Sequence, residues 1–145
     1  MDFINRVIHD LTSVYPIHPM FVHFPIALTG AAFLFILLAF WRKSILLEQV
    51  AFANIVLACV AIVVAAPIGY LDNLKTYSGA APNAMWKVTL AIILFILTVS
   101  ISIIRSRNPD LLWKGNRFLY MASLGVSFAI TIVLGFLGSI ILYGF

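Results

Sequence analysis

The sequence predicts an all-α integral membrane protein, a bundle of four spanning helices. Three observations carry this. Hydrophobic residues make up 63% of the 145 positions and charged residues only 10%, where soluble domains carry roughly 25% charged. Four stretches are each long enough to cross a hydrocarbon core of roughly 30 Å, which takes about 20 apolar residues. Short loops with charged and turn-forming residues separate them. A soluble fold of this size could not hide so much apolar surface. Soluble enzymes, disordered tails and nucleic-acid modules are therefore excluded. The pI of about 9.5 follows from nine Lys+Arg against five Asp+Glu. In a membrane chain such an excess orients the protein and is no sign of nucleic-acid binding. The single cysteine, Cys59, excludes an internal disulfide or a cysteine-based metal site.

In chain order, residues 2–14 come first. Phe3, Ile4, Val7, Ile8, Leu11 and Val14 recur at helical spacing, with Asp2, Asn5, Arg6, His9 and Asp10 on the other face. This predicts a short amphipathic helix lying in the membrane interface, or docking a partner subunit. Tyr15-Pro16 ends it, because the residue before proline avoids helical backbone. The first span runs from about 19 to 41 without a charge. Trp41, Arg42 and Lys43 follow it, a stop-transfer pattern and not a cleavage site. The second runs from about 50 to 71, with Asn54 its strongly polar residue. The third, about 86–104, carries Lys87 at its start. The fourth, about 118–143, is long enough to tilt.

Loop cations set the expected orientation. Arg42, Lys43, Arg105, Arg107, Lys114 and Arg117 outnumber Arg6, Lys75 and Lys87 on the opposite side. The larger group is expected in the cytoplasm, with both termini and the 72–85 loop outside. Trp41, Trp113 and Tyr120 then mark the inner interface, and Tyr15, Tyr70, Tyr77, Trp86 and Tyr143 the outer one.

Lipid tails are as apolar as leucine, so spanning helices associate where small residues let backbones approach. Ala27, Gly30 and Ala31 make such a stripe on the first span, Ala61, Ala65 and Gly69 on the second, and Gly125, Ala129, Gly135 and Gly138 on the fourth. The third instead offers Thr89, Thr98, Ser100 and Ser102, which can bond a neighbour or their own carbonyls.

The distinctive motif is Ile17-His18-Pro19-Met20-Phe21-Val22-His23-Phe24-Pro25-Ile26-Ala27-Leu28. Pro19 suits a first helical position, which leaves His18 near the N-cap. Pro25 donates no backbone hydrogen bond, so the carbonyl of Phe21 loses its helical partner beside His23. Five residues of helix turn the two imidazoles roughly 140° apart, so one shared metal is disfavoured. The assigned orientation brings Asp72, Lys87 and Tyr143 to the same end as His18 and His23. Ionisable groups at membrane depth are candidate functional residues. His23 and His18 are thus the candidate cofactor-binding residues, with Asp72, Lys87 and Tyr143 as a polar outer cluster. Helix capping or a bond to Asp72 would explain the same histidines structurally.

This opening resembles that of a family of small bacterial predicted membrane proteins, classed as a domain of unknown function, and the resemblance extends over all four spans. It implies a bacterial inner-membrane protein. It also implies an association with cytochromes and redox chains, with a further histidine early in the third span. This chain departs from that pattern: no histidine follows His23. A six-coordinate haem b would need its second axial ligand from Met85, Met121 or Lys87. A five-coordinate haem, a chlorophyll-type pigment or a quinone would need only His23. The residues contain no nucleophile with its base, no paired carboxylates and no phosphate loop, so the chain is not expected to be an enzyme by itself. The expected function is a non-catalytic accessory or structural subunit of a respiratory or photosynthetic electron-transfer complex, in contact with lipid and other membrane subunits. A haem- or quinone-binding protein using His23 is the alternative, and a small transporter or channel subunit the second alternative.

Overall fold

The computed structural model describes residues 18–143, together with Ile4. The interfacial helix expected over 2–14 lies outside the described residues. The chain forms α1 (His18–Arg42), α2 (Ile45–Tyr77), α3 (Ala84–Arg107), a single turn α4 (Leu111–Lys114) and α5 (Arg117–Tyr143). The four long helices are apolar enough to cross a membrane, and the described residues contain no strand. All-α architecture with four spanning helices is therefore the fold.

The helices stand in a ring. The most extensive contact is α1 against α2, and α5 closes the circle by touching both α1 and α3. Buried positions recur at alternating steps of four and three. On α1 they are Pro25, Thr29, Ala32, Ile36 and Ala39; on α2 they are Glu48, Ala51, Ile55, Ala58, Ile62 and Ala65. Leu94, Thr98, Ile101 and Arg105 repeat the pattern on α3, as do Tyr120, Leu124, Ser127 and Thr131 on α5. This 3.5-residue period is the spacing of left-handed four-helix bundles. The seam explains which small residues matter. Ala32, Ala39, Ala51 and Ala58 are fully buried, and they let α1 and α2 approach closely. Ala27 and Ala129 are exposed instead, and Ala61 is half-buried. A strict spacing of four drifts off a 3.5-residue seam. Three of the expected glycines do pack against a neighbour, Gly135 lying against Ile26 of α1. Phe128 of α5 sits over Gly30, where an added Cβ would meet its ring at 2.9 Å, and Phe33 of α1 sits over Gly125, at 3.0 Å. The two rings lie 6.3 Å apart.

Two residues turn α1 into α2. Lys43 adopts left-handed backbone, with φ 50°, and the Ser44 amide donates to the Ala39 carbonyl at 3.1 Å. This closes the helix as a Schellman-type cap. Ser44 Oγ then accepts from the Leu47 amide and starts α2. At the far end of α2 the Asn73 side chain ties the 78–83 loop, accepting from the Ala81 amide at 3.0 Å. Successive spans alternate in direction. One end of the bundle therefore holds the start of α1, the end of α2 and the start of α3. The other holds the α1–α2 turn, the end of α3 and the start of α5.

Candidate functional site

The buried chemistry sits at the second of these ends. Glu48 lies four positions into α2, and Arg105 is the third-last residue of α3. Antiparallel neighbours bring these termini together. A carboxylate near a helix N-terminus and a cation near a C-terminus are each favoured by the helix dipole. The two side chains pair bidentately: Arg105 Nη2 donates to Glu48 Oε2 at 2.7 Å and its Nε donates to Oε1. Tyr120 of α5 donates its hydroxyl to Glu48 Oε1 at 3.3 Å. The Arg105 guanidinium also lies over the Phe52 ring, 5.0 Å from its centre. Glu48 is 1% exposed, Tyr120 3% and Arg105 8%. Three helices thus converge on one buried, charge-balanced cluster.

This cluster departs from the sequence reading in instructive ways. Tyr120 was expected at the membrane interface, yet it points into the bundle and bonds a carboxylate. Arg105 was expected among loop cations, yet it belongs to the last turn of α3 and is buried. The second span was expected from about 50, whereas α2 begins at Ile45 and takes Glu48 inside with it. One available signal was register: Glu48 falls on the line of Ala51, Ile55 and Ala58, and Arg105 on the line of Thr98 and Ile101.

A second polar contact joins α1 to α5 nearer the middle. The Thr29 hydroxyl donates to the Pro25 carbonyl at 2.8 Å, and its oxygen meets the Thr131 hydroxyl at 2.9 Å. Thr131 is in turn bonded to the Phe128 carbonyl. On α3, Thr98 and Ser102 bond their own helix carbonyls, as their residue types allow, and Ser102 also meets Cys59 Sγ at 3.7 Å.

The expected outer cluster shares the opposite end. His18 is the first residue of α1; its side chain and that of Tyr143 lie outside the described residues. His23, just over one turn into α1, is exposed, while Asp72 and Lys87 are half-buried. His23 and Asp72 each have an interaction partner. Alternating topology brings these residues to one end. Pro25 is buried within an unbroken α1. Among the described residues no three His, Cys, Asp or Glu side chains group to hold a metal ion.

No curated protein and no solved structure matches the chain. A family model, described as a predicted membrane protein, DUF2231, matches residues 14–144, a range that takes in all four spans and both polar ends. The chain belongs to this family of predicted membrane proteins, a domain of unknown function.

Proposed function

We propose that this protein is a non-catalytic subunit that helps build a larger energy-transducing assembly in a bacterial inner membrane. The observation that carries this reading is the Glu48–Arg105–Tyr120 cluster. Its charges are satisfied by one another, so the most polar part of the bundle interior serves to hold α2, α3 and α5 in register. Buried ionic groups in other proteins are known to set such registry. The outward surface supports the same reading. Phe24, Val60, Trp86 and Phe136 are exposed on different helices, which suits lipid and neighbouring spans. The cationic α1–α2 turn and the α3–α5 loop favour a cytoplasmic position for that end, with both termini outside.

A second reading rests on His23, whose imidazole is exposed beside a proline on α1. It could meet a haem, pigment or quinone held between this subunit and another. Gentle detergent purification of the tagged native protein tests both. Colourless protein arriving with stoichiometric membrane partners supports the subunit reading. A Soret band that vanishes in His23→Ala but persists in His9→Ala would replace it with the cofactor reading. Colourless, partnerless protein would overturn both and favour a small transporter.

A further inference from the structure

The carboxylates at the α1–α2 turn end are spoken for. Glu48 pairs with Arg105, and Asp110 pairs with Lys114 at 2.8 Å. Among the described residues, Arg42, Lys43 and Arg117 pair with no carboxylate. They are not randomly placed. The Arg117 guanidinium of α5 lies 5.5 Å from the Phe40 ring of α1 and 5.2 Å from the Phe118 ring. Arg42 lies 5.2 Å over Trp41. Each guanidinium is thus held by an aromatic face, and such stacking leaves the N–H edges open to bind an anion. Trp41 is 74% exposed and Phe118 67%, so apolar surface flanks the cations directly. Lys43 adds a third cation at the adjoining turn, in left-handed backbone.

We infer that the end of α1 and the start of α5 form a binding site for the headgroup of an anionic phospholipid. Arg42, Lys43 and Arg117 take the phosphodiester, and Phe40, Trp41 and Phe118 lie along the acyl chains. A water-soluble anion would not need the apolar flank, and a neutral lipid would not need the charge. Uncompensated arginines at the depth where a helix leaves the membrane match the height of lipid phosphates. This inference does not depend on whether the protein is a complex subunit.

The test uses the whole chain in nanodiscs or mild detergent, with native mass spectrometry and thermal melting as readouts. Phosphatidylglycerol should be retained over phosphatidylcholine and should raise the melting temperature. Arg42→Gln and Arg117→Gln should each weaken retention about fivefold, following roughly 1 kcal/mol per basic residue near a charged membrane surface. Lys75→Gln, at the opposite end, should change nothing. Equal retention of the two lipids, or an unchanged preference in the Arg42→Gln/Arg117→Gln variant, would overturn the inference. So would displacement of phosphatidylglycerol by millimolar inorganic phosphate, which would mark a free-anion site. If the double variant fails to fold, the wild-type preference between the two lipids decides alone.

Discussion

At one end of the bundle Glu48 and Arg105 lie bonded to each other, almost out of reach of the surroundings; at the other, His23 stands exposed and Lys87 half-buried. The first end takes charge inside and neutralises it with a partner on the next helix. The second leaves its polar groups near helix termini, where headgroups and water remain close. Charge buried in a membrane protein must be paired across helices and so ties them together. Charge near the interface stays within reach of headgroups and water and need not be neutralised inside the bundle. Local sequence hydrophobicity does not distinguish the two situations; the register of the residue on its helix does.

Breaking the pair is expected to have the largest effect. Arg105→Leu leaves the Glu48 carboxylate buried without its cation, and the loss of stability should be about 3–5 kcal/mol. Thermal melting in detergent measures it. Adding Glu48→Leu to the same chain should recover much of that loss, because a well-packed apolar pair can replace a buried ionic one. If the double variant melts no higher than the single one, the carboxylate was not the source of the cost. His23→Ala, at the other end, should stay within about 0.5 kcal/mol of the parent, as exposed positions do. Equal losses at the two ends would erase the contrast.

Crowding the α1–α5 contact comes next. Gly30→Val places atoms where the Phe128 ring already sits, and overpacking of this kind costs about 1–3 kcal/mol. The same substitution at Gly138, where an added Cβ meets nothing within 4 Å, should be far milder. Thr29→Val, which removes the hydroxyl facing Thr131, should cost about 0.6 kcal/mol, the mean for polar contacts between spanning helices. The smallest effect belongs to the exposed loop. Asp110 holds the Lys114 amine above its ordinary pKa, chiefly through their hydrogen bond. The sign is that of a raised base: the pair's contribution is fully present below the ordinary lysine pKa and is lost only as pH rises through the raised one. Both side chains are solvent-exposed, so the contribution, present at neutral pH, is small, and Asp110→Asn should barely shift melting there.

Much of the fold was legible in the sequence, because spanning length and apolar composition leave few alternatives. The four helices, the close approach at Gly30 and Gly125 and the self-bonding hydroxyls of α3 all follow from residue type and spacing. Other features required knowing which face looked inward. Ala32 sits one position away from Ala31 in the pattern of four, and only the bundle's 3.5-residue seam selects between the two. Glu48 and Arg105 were hidden for a related reason. Each lies where a span ends, and a window of apolar residues stops at a charge whether or not its partner waits on another helix. For Tyr120 an aromatic near a span end reads as an interface marker, and the carboxylate that draws it inward is 72 residues earlier. The His18–His23 motif was visible from its composition.

The 57-residue separation between Glu48 and Arg105 has a consequence for biosynthesis. Chains emerge at about 5–20 residues per second, so Glu48 waits roughly 3–11 s for its counterion. Over that interval α1 and α2, joined by two residues and an alanine seam, carry an acidic side chain whose cation on α3 has yet to be made. Arrival of α3 closes this period of vulnerability, and the ribosome's pace through residues 49–105 fixes its length.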